Sequence, residues 1–356
     1  MTRIYLIRHG QAEGNLYRIA QGHEDGKLTR LGWEQVRALA RRFEDIHVDA
    51  VYSSDLYRAR ATASAIYIPK GLPLIQDKAL REAFLGDWEG RPWGQIYREE
   101  PEQLTNFSMN PGRWRAKNGE TALQAQQRLE EAVRRIGREN EGRTIAIASH
   151  GYAIRMLLGK LQGYTMDNMG DSPQEDNTAV SLLELDGDSL RVIFRGDTGH
   201  LPSSAAVKAP SAHSAAVEGG MYYREPHSYE DRALIDTMVS AAISEAEMRP
   251  TAGEFLSLLA YDGEEPSALL QMGSINSICT LYVLPSQRRR GLGVQLIGQA
   301  QQRALSYAAD ALCISVCRTS PAIPFLKEND FVPVGETAEG LVRFEKSLGC
   351  DHFPPL

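Results

Sequence analysis

Several residue types able to bind an anion recur in this chain next to apolar runs. The first ten residues are MTRIYLIRHG, so Arg8, His9 and Gly10 follow directly on the apolar run Ile4 to Ile7. That run reads as a buried strand and Gly10 as the turn that ends it. A guanidinium and an imidazole are thereby placed at a strand's carboxyl end, where open α/β sheets bind ligands. A buried guanidinium without a partner would cost several kcal/mol, so either another part of the fold or a ligand pairs with Arg8. Asn15 follows six residues after His9, Arg58 follows a second strand-like stretch, and a third, TIAIAS, ends in His150-Gly151. Two imidazoles, two guanidiniums and an amide are thus expected along one sheet edge. A separate cluster, Arg288-Arg289-Arg290-Gly291-Leu292-Gly293, lies between a strand-like and a helix-like stretch. A glycine turn at a helix amino end offers N–H groups and a positive dipole end, which together make an anion site.

The elements that must hold these groups are legible in the hydrophobic pattern. RIYLIR, DAVYSS, RTIAIASH, AVSLLEL and LRVIF read as strands, and LGWEQVRALARRFEDI and ETALQAQQRLEEAVRRIGREN as amphipathic helices. Their alternation argues for a mostly parallel sheet covered on both faces. Residues 202–220, rich in Ala, Ser, Pro and Gly, have no period and read as a linker. Beyond it, SYEDRALIDTMVSAAISEAEM reads as a helix, and GEFLSLLAYDGEEPSALLQMG as a hairpin turning at Asp262-Gly263. SICTLYVLP reads as a strand, GVQLIGQAQQRALSYAA as a helix and DALCISVCR as a strand. The expected division is 1–201, a linker at 202–220, and a second α/β domain at 221–350.

Bulk composition narrows the function classes. The chain has 356 residues, a length that suits two domains, with 42% hydrophobic and 24% charged residues. Residues 1–200 carry 27 Lys and Arg against 28 Asp and Glu, and the remainder 12 against 18. Neither half is a nucleic-acid surface by charge. No apolar run approaches the roughly 20 residues of a membrane span, and the first segment is too short and too charged for a secretory leader, so a cytoplasmic location is expected. The four cysteines, Cys279, Cys313, Cys317 and Cys350, have no metal-ligand spacing and read as reduced thiols.

RHGQAEGN at 8–15, LTRLGWEQ at 28–35, VYSSDLYRARATA at 51–63, LREAFLGDWEG at 80–90, ASHG at 148–151 and GDTGHL at 196–201 together resemble the histidine phosphatase (phosphoglycerate-mutase-like) superfamily. The resemblance implies a three-layer α/β/α fold with a mostly parallel sheet, and phosphomonoester hydrolysis through a phosphohistidine on His9. It implies that Arg8, Arg58, His150 and Asn15 bind the phosphoryl group, with Gln21, Gly22 and Gly151 bordering it. It further implies that Glu82 protonates the leaving group and then activates water. No metal is required, and the substrate is a small phosphorylated metabolite. The compact length favours a phosphatase over a phosphoglycerate-type mutase. Trp88, Trp93 and Trp114 read either as the pocket floor or as core packing.

The stretch ICTLYVLPSQRRRGLGVQLIGQAQQRA, with MYYR, the DGEEP hairpin and AIPFLKENDF, resembles the GNAT acetyltransferases, α/β domains with a mixed sheet. The resemblance implies acetyl-CoA as cofactor, its pyrophosphate on Arg288, Arg289, Arg290, Gly291, Leu292 and Gly293, and its pantetheine arm along Leu281 to Val283. It implies an amine acceptor. Two positions depart from the pattern. Leu326 stands where many members have a proton-donating Tyr, and Asp330 where a Gly precedes the final Phe. The chain thus reads as a bifunctional enzyme, or as a phosphatase carrying an acetyl-CoA sensor.

Overall fold

The computed structural model describes residues 1–203, 205, 221–246, 255–273, 275–349 and 353. The expected linker lies almost wholly outside them, as does Cys350. Within the described residues the chain forms two sheets, each with its own helices.

The first sheet grows from the run that opens the chain. Strand β1 (Thr2–Arg8) lies between β4 (Thr144–Ser149), parallel to it, and β5 (Val180–Asp186), antiparallel to it. With β2 (Ala50–Ser53), β3 (Leu74–Gln76) and β6 (Ser189–Asp197) the order is β3-β2-β4-β1-β5-β6. Alternation within the strands feeds two apolar layers. On one face Ile7, Val51, Ala146 and Ala148 meet α2 (Arg30–Phe43) and α3 (Tyr57–Lys70). On the other, Ile4, Leu6, Ile145 and Ile147 meet α6 (Ala122–Glu139) and α7 (Gly151–Leu161). The three-layer α/β/α expectation holds. Caps fix the helix starts: the Thr29 hydroxyl accepts from the Gly32 N–H at 3.0 Å, and Thr121 with Gln124 forms a capping box on α6. Three shorter helices, α1 (Glu13–Tyr17), α4 (Trp93–Glu99) and α5 (Pro101–Met109), ring the carboxyl edge of the sheet.

The second sheet is mixed, in the order β12-β13-β11-β10-β9-β8-β7. It comprises β7 (Tyr222–Arg224), β8 (Leu256–Asp262), β9 (Glu265–Met272), β10 (Ser277–Val283), β11 (Ala311–Val316), β12 (Val332–Glu336) and β13 (Val342–Ser347). The β8–β9 hairpin turns at Asp262-Gly263 as the sequence indicates, with Gly263 at φ 75°. Helices α8 (Tyr229–Ala246), α9 (Leu292–Ser306) and α10 (Ile323–Glu328) accompany it. Only β10 and β11 run parallel, and they pair at Ser277↔Cys313 and Ile278↔Ile314 alone; from Thr280 onward β10 pairs with β9. No helix among the described residues is long and apolar enough to cross a membrane.

The two units share a core. Tyr17 and Ile19, from the first, are buried with Leu296, Ile297 and Ala300 of α9. Gly298 makes the approach possible, since a Cβ there would lie 2.5 Å from the Tyr17 Cβ.

Candidate active site

β1 and β4 are paired in register, Arg8 opposite Ser149, so the residues that follow each strand, His9 and His150, emerge side by side. Their ring centroids are 5.2 Å apart. α2 covers one face of this sheet and α7 the other. The crevice between connections that leave on opposite faces is where such sheets bind ligands.

His9 is buried, and its Nδ1 lies 2.7 Å from the Gly10 carbonyl. A carbonyl only accepts, so Nδ1 carries the hydrogen and Nε2 keeps its lone pair. Burial, then Arg58 and Arg8, push the imidazole pKa well below its ordinary value, which holds the ring neutral. His150 is fully buried and shifted in the same direction by burial and by Arg58, and neither of its ring nitrogens has a protein partner. Buried polar atoms are ordinarily paired. Arg8 Nε and Arg58 Nε likewise have no hydrogen-bond partner, but His150, although its ring lies beside that of His9, does not border the cavity that His9, Arg8 and Arg58 line.

The arginines are held from behind by backbone carbonyls. Arg58 donates to Glu24 O at 2.9 Å and Gly22 O at 2.6 Å, and Asp25 lies 3.9 Å away. Arg8 donates to Glu175 O. Carbonyls orient a guanidinium without cancelling its charge, so both stay available to an anion. Gly22 suits this task by its left-handed φ of 51°, and a Cβ there would strike Glu89. Gly151 borders the same cavity and also clears a path for Arg8. A Cβ on it would sit 2.9 Å from Arg8 Nε, so its lack of a side chain is what lets the guanidinium pass.

Asn15 uses Oδ1 to accept from the Ala12 N–H at 3.0 Å, which leaves its amide hydrogens for the cavity. The Glu82 carboxylate accepts from Ala83 N at 2.9 Å, Tyr152 N at 3.0 Å and Ala153 N at 2.8 Å. The last two are the free donors of α7's first turn. Arg8, His9, Asn15, Gln21, Gly22, Arg58, Glu82 and Gly151 all line one cavity of about 380 Å³. Trp93, Leu104, Phe107 and Tyr152 form its apolar side, Phe107 stacked on Tyr152 at 4.3 Å. The tryptophan alternatives separate here: Trp93 lines the cavity, whereas Trp88 and Trp114 are fully buried in the core behind it.

Several contributors escaped the sequence reading. Asn177 donates to His9 O at 3.0 Å, and Glu175 is buried against Arg195 at 2.6 Å. Both reach the site because β5 is antiparallel to β1, which brings its leading end to the carboxyl end of β1. Thr62 accepts from Gly10 N at 2.9 Å and donates to Arg58 O at 2.7 Å, tying the His9 loop to α3. Its signal lay in the stretch at 51–63.

The second cluster is separate. Leu292 and Gly293 open α9, and Gly291 precedes it at φ 77°. Arg288 donates to Val283 O at 3.0 Å and pairs with Glu245 at 2.5 Å, while Arg290 pairs with Asp262 at 2.5 Å. The triplet is therefore partly engaged by carboxylates rather than held wholly for a ligand. Leu281 to Val283 lie where β10 has parted from β11. Leu326 is buried, and the Tyr282 hydroxyl donates to Glu245 at 3.1 Å. Asp330 takes the left-handed φ of 65° that the usual glycine would provide, which Asp tolerates better than most side chains.

One sheet edge thus gathers a buried imidazole, two guanidiniums and a carboxylate around a single cavity, with a second histidine beside the first. Residues 4–198 match the family model of the histidine phosphatase superfamily (branch 1), and the chain belongs to that superfamily. Residues 223–341 match the acetyltransferase (GNAT) domain model. The chain is 32% identical over 217 residues to phosphoglycerate mutase-like protein 4 of Arabidopsis thaliana, covering 58% of this chain and 90% of that one. It is 31% identical over 170 residues to the adenosylcobalamin/alpha-ribazole phosphatase of Escherichia coli, covering 47% and 82%. Among solved structures, Bacillus stearothermophilus YhfR superposes with a TM-score of 0.55 at 34% identity, covering 56% of this chain and 99% of that one.

Proposed function

We propose that residues 1–201 form a metal-independent phosphomonoesterase working through a phosphohistidine on His9. We propose that residues 221–350, beyond a linker at 202–220, bind acetyl-CoA and acetylate an amine. One observation carries the first reading: the Nδ1–Gly10 contact commits the His9 proton and leaves Nε2 free, facing two guanidiniums. In this reading Arg8, Arg58, His150 and Asn15 hold the phosphoryl oxygens. Nε2 attacks phosphorus as the ester P–O bond breaks, and the departing oxygen takes a proton from Glu82. Water then attacks phosphorus, the P–N bond breaks, and Glu82 takes the water's proton. Positioning and charge neutralisation carry most of such catalysis. The apolar side at Trp93, Phe107 and Tyr152 suits a small phosphorylated metabolite with an apolar portion.

For the second domain, the parting of β10 from β11 and the positive φ at Gly291 fit an acyl-CoA: residues 288–293 would hold its pyrophosphate and Leu281 to Val283 its pantetheine arm. When bound, acetyl-CoA supplies the activated acetyl group. A buried Leu326, with Tyr282 committed to Glu245, favours a second reading of this domain as a sensor that binds acetyl-CoA without turning it over. Likeness to a mutase-like relative likewise keeps a phosphoglycerate-type mutase as a second reading of the first domain.

A metabolite screen that records phosphate release and CoA release separately tests both halves. His9→Ala is expected to abolish phosphate release, by at least about a thousandfold, and to prevent formation of an acid-labile phosphoenzyme. Full activity in that variant refutes the nucleophile assignment. Acetyl-CoA binding by calorimetry with no thiol release over an amine panel selects the sensor. Isomer exchange in a phosphoglycerate mixture selects the mutase.

A further inference from the structure

Three polar side chains of the second domain meet segments of the first that carry residues of the His9 cavity. Glu13 begins α1, the short helix that carries Asn15. Both Glu13 carboxylate oxygens are held from across the domain boundary. Lys346 of β13 lies 2.9 Å from Oε1, and Gln301 of α9 donates to Oε2 at 2.9 Å. The ion pair is buried on both sides, at 3% and 7% side-chain exposure. One residue further along α9, the Gln302 side chain lies beside the Glu24 carboxylate, the two at 3.3 and 3.1 Å from where a Cβ on Gly90 would stand. The main-chain carbonyl of that same Glu24 holds Arg58. Tyr17, at the end of α1, rests on Gly298. Both segments also have partners within the first domain, Glu13 N donating to Lys27 O at 2.8 Å and the Asp25 carboxylate accepting from Tyr57 N at 2.8 Å. α1 is five residues long, too short to be stable alone. Residues 21–26 form no regular element.

We propose that Lys346, Gln301 and Gln302 are positioning residues for the phosphoryl-binding site: they fix α1, and with it Asn15, and the segment whose carbonyls aim Arg58. This rests on the phosphatase reading of the first domain. Burial works to neutralise Lys346, but the carboxylates of Glu13 and Asp330 beside it outweigh that and keep the ammonium charged. A charged pair sealed in this way has discrete geometry, unlike the exposed Arg98–Glu264 pair that also joins the two units, at 3.3 Å and 48% and 84% exposure.

The test uses the full chain and two readouts, steady-state hydrolysis of p-nitrophenyl phosphate and orthovanadate affinity by calorimetry. Lys346→Met and Gln302→Ala are each expected to lower kcat at least fivefold with a smaller change in KM, and to weaken vanadate by a similar factor. Lys346→Arg is expected to recover part of the loss, and Glu264→Ala to leave both readouts at wild-type values. Because Lys346→Met strands a buried carboxylate, the double variant Glu13→Gln/Lys346→Met serves where the single one fails to fold. It too is expected to weaken vanadate. Wild-type behaviour in folded Lys346 and Gln302 variants overturns the proposal. An equal loss in Glu264→Ala, which would mean general domain adhesion, overturns it as well. His9→Ala, run alongside, tests the phosphatase reading through turnover alone, while the vanadate readout continues to report positioning. A wild-type chain that binds no vanadate overturns both.

Discussion

At the scale of single residues, the site depends on keeping an imidazole neutral between two fixed cations. Burial and the charges of Arg58 and Arg8 all push the His9 pKa down. The sign follows directly. The folded protein refuses a proton that the unfolded chain accepts near pH 6.5. The imidazole therefore stays neutral below that pH, and stability is flat above it and falls as pH drops below it. His150 acts in the same direction, and so does His200, lowered to about 4 by burial and then Arg42. NMR titration of the imidazoles is expected to show His9 and His150 still neutral at pH 6, with the urea midpoint falling between pH 7 and pH 5. An ordinary titration near 6.5 for His9 would refute the assignment of its environment. Arg58→Ala removes at least one bond to a charged group, worth about 1.5–3 kcal/mol, so kcat/KM for a phosphomonoester is expected to fall by at least about 10- to 150-fold. A Lys at this position is expected to recover little, because the fork that meets Gly22 O and Glu24 O would be lost.

At the scale of elements, the geometry comes from register and from small residues at crossing points. The pairing of Arg8 with Ser149 brings two distant histidines together, and Gly151 lets Arg8 pass beneath α7. Gly151→Ala is expected to displace the guanidinium and raise KM by about tenfold, with thermal stability little changed; unaltered kinetics would show that Arg8 has room to yield. Much of this level was legible in the sequence. β1, β2, β4 and the hairpin at Asp262-Gly263 announce themselves by apolar runs ended by turn residues, and the RHG and SHG sequences mark the strand ends that matter. What stayed hidden has a common cause. Asn177 and Glu175 precede a strand whose antiparallel direction no local pattern encodes. Thr62 acts through two long-range hydrogen bonds, and the arginine triplet's carboxylate partners lie dozens of residues away. Periodicity reports which face of an element is buried, not what meets it there.

At the scale of the whole molecule, the two units are joined by shared core as well as by chain. Tyr17 and Ile19 are 4% and 3% exposed because α9 covers them. A chain ended at residue 201 would expose both. At roughly 1.5–3 kcal/mol for each such side chain, and about 2–4 °C of melting temperature per kcal/mol at this size, its midpoint is expected to lie on the order of ten degrees below that of the full chain. Scanning calorimetry of both forms checks this, and equal midpoints would mean that the contact contributes little. The sealed pair of Glu13 and Lys346 also bears on how such a fusion can change over time. Grafting this second half onto a phosphatase with a neutral residue at the place of Glu13 would strand a lone ammonium in an apolar seam, and the reverse graft would strand a carboxylate. Either defect costs about 3–5 kcal/mol, a large part of a domain's whole stability. The halves are therefore expected to be inherited as matched sets, with any recombination between them requiring both positions to change together.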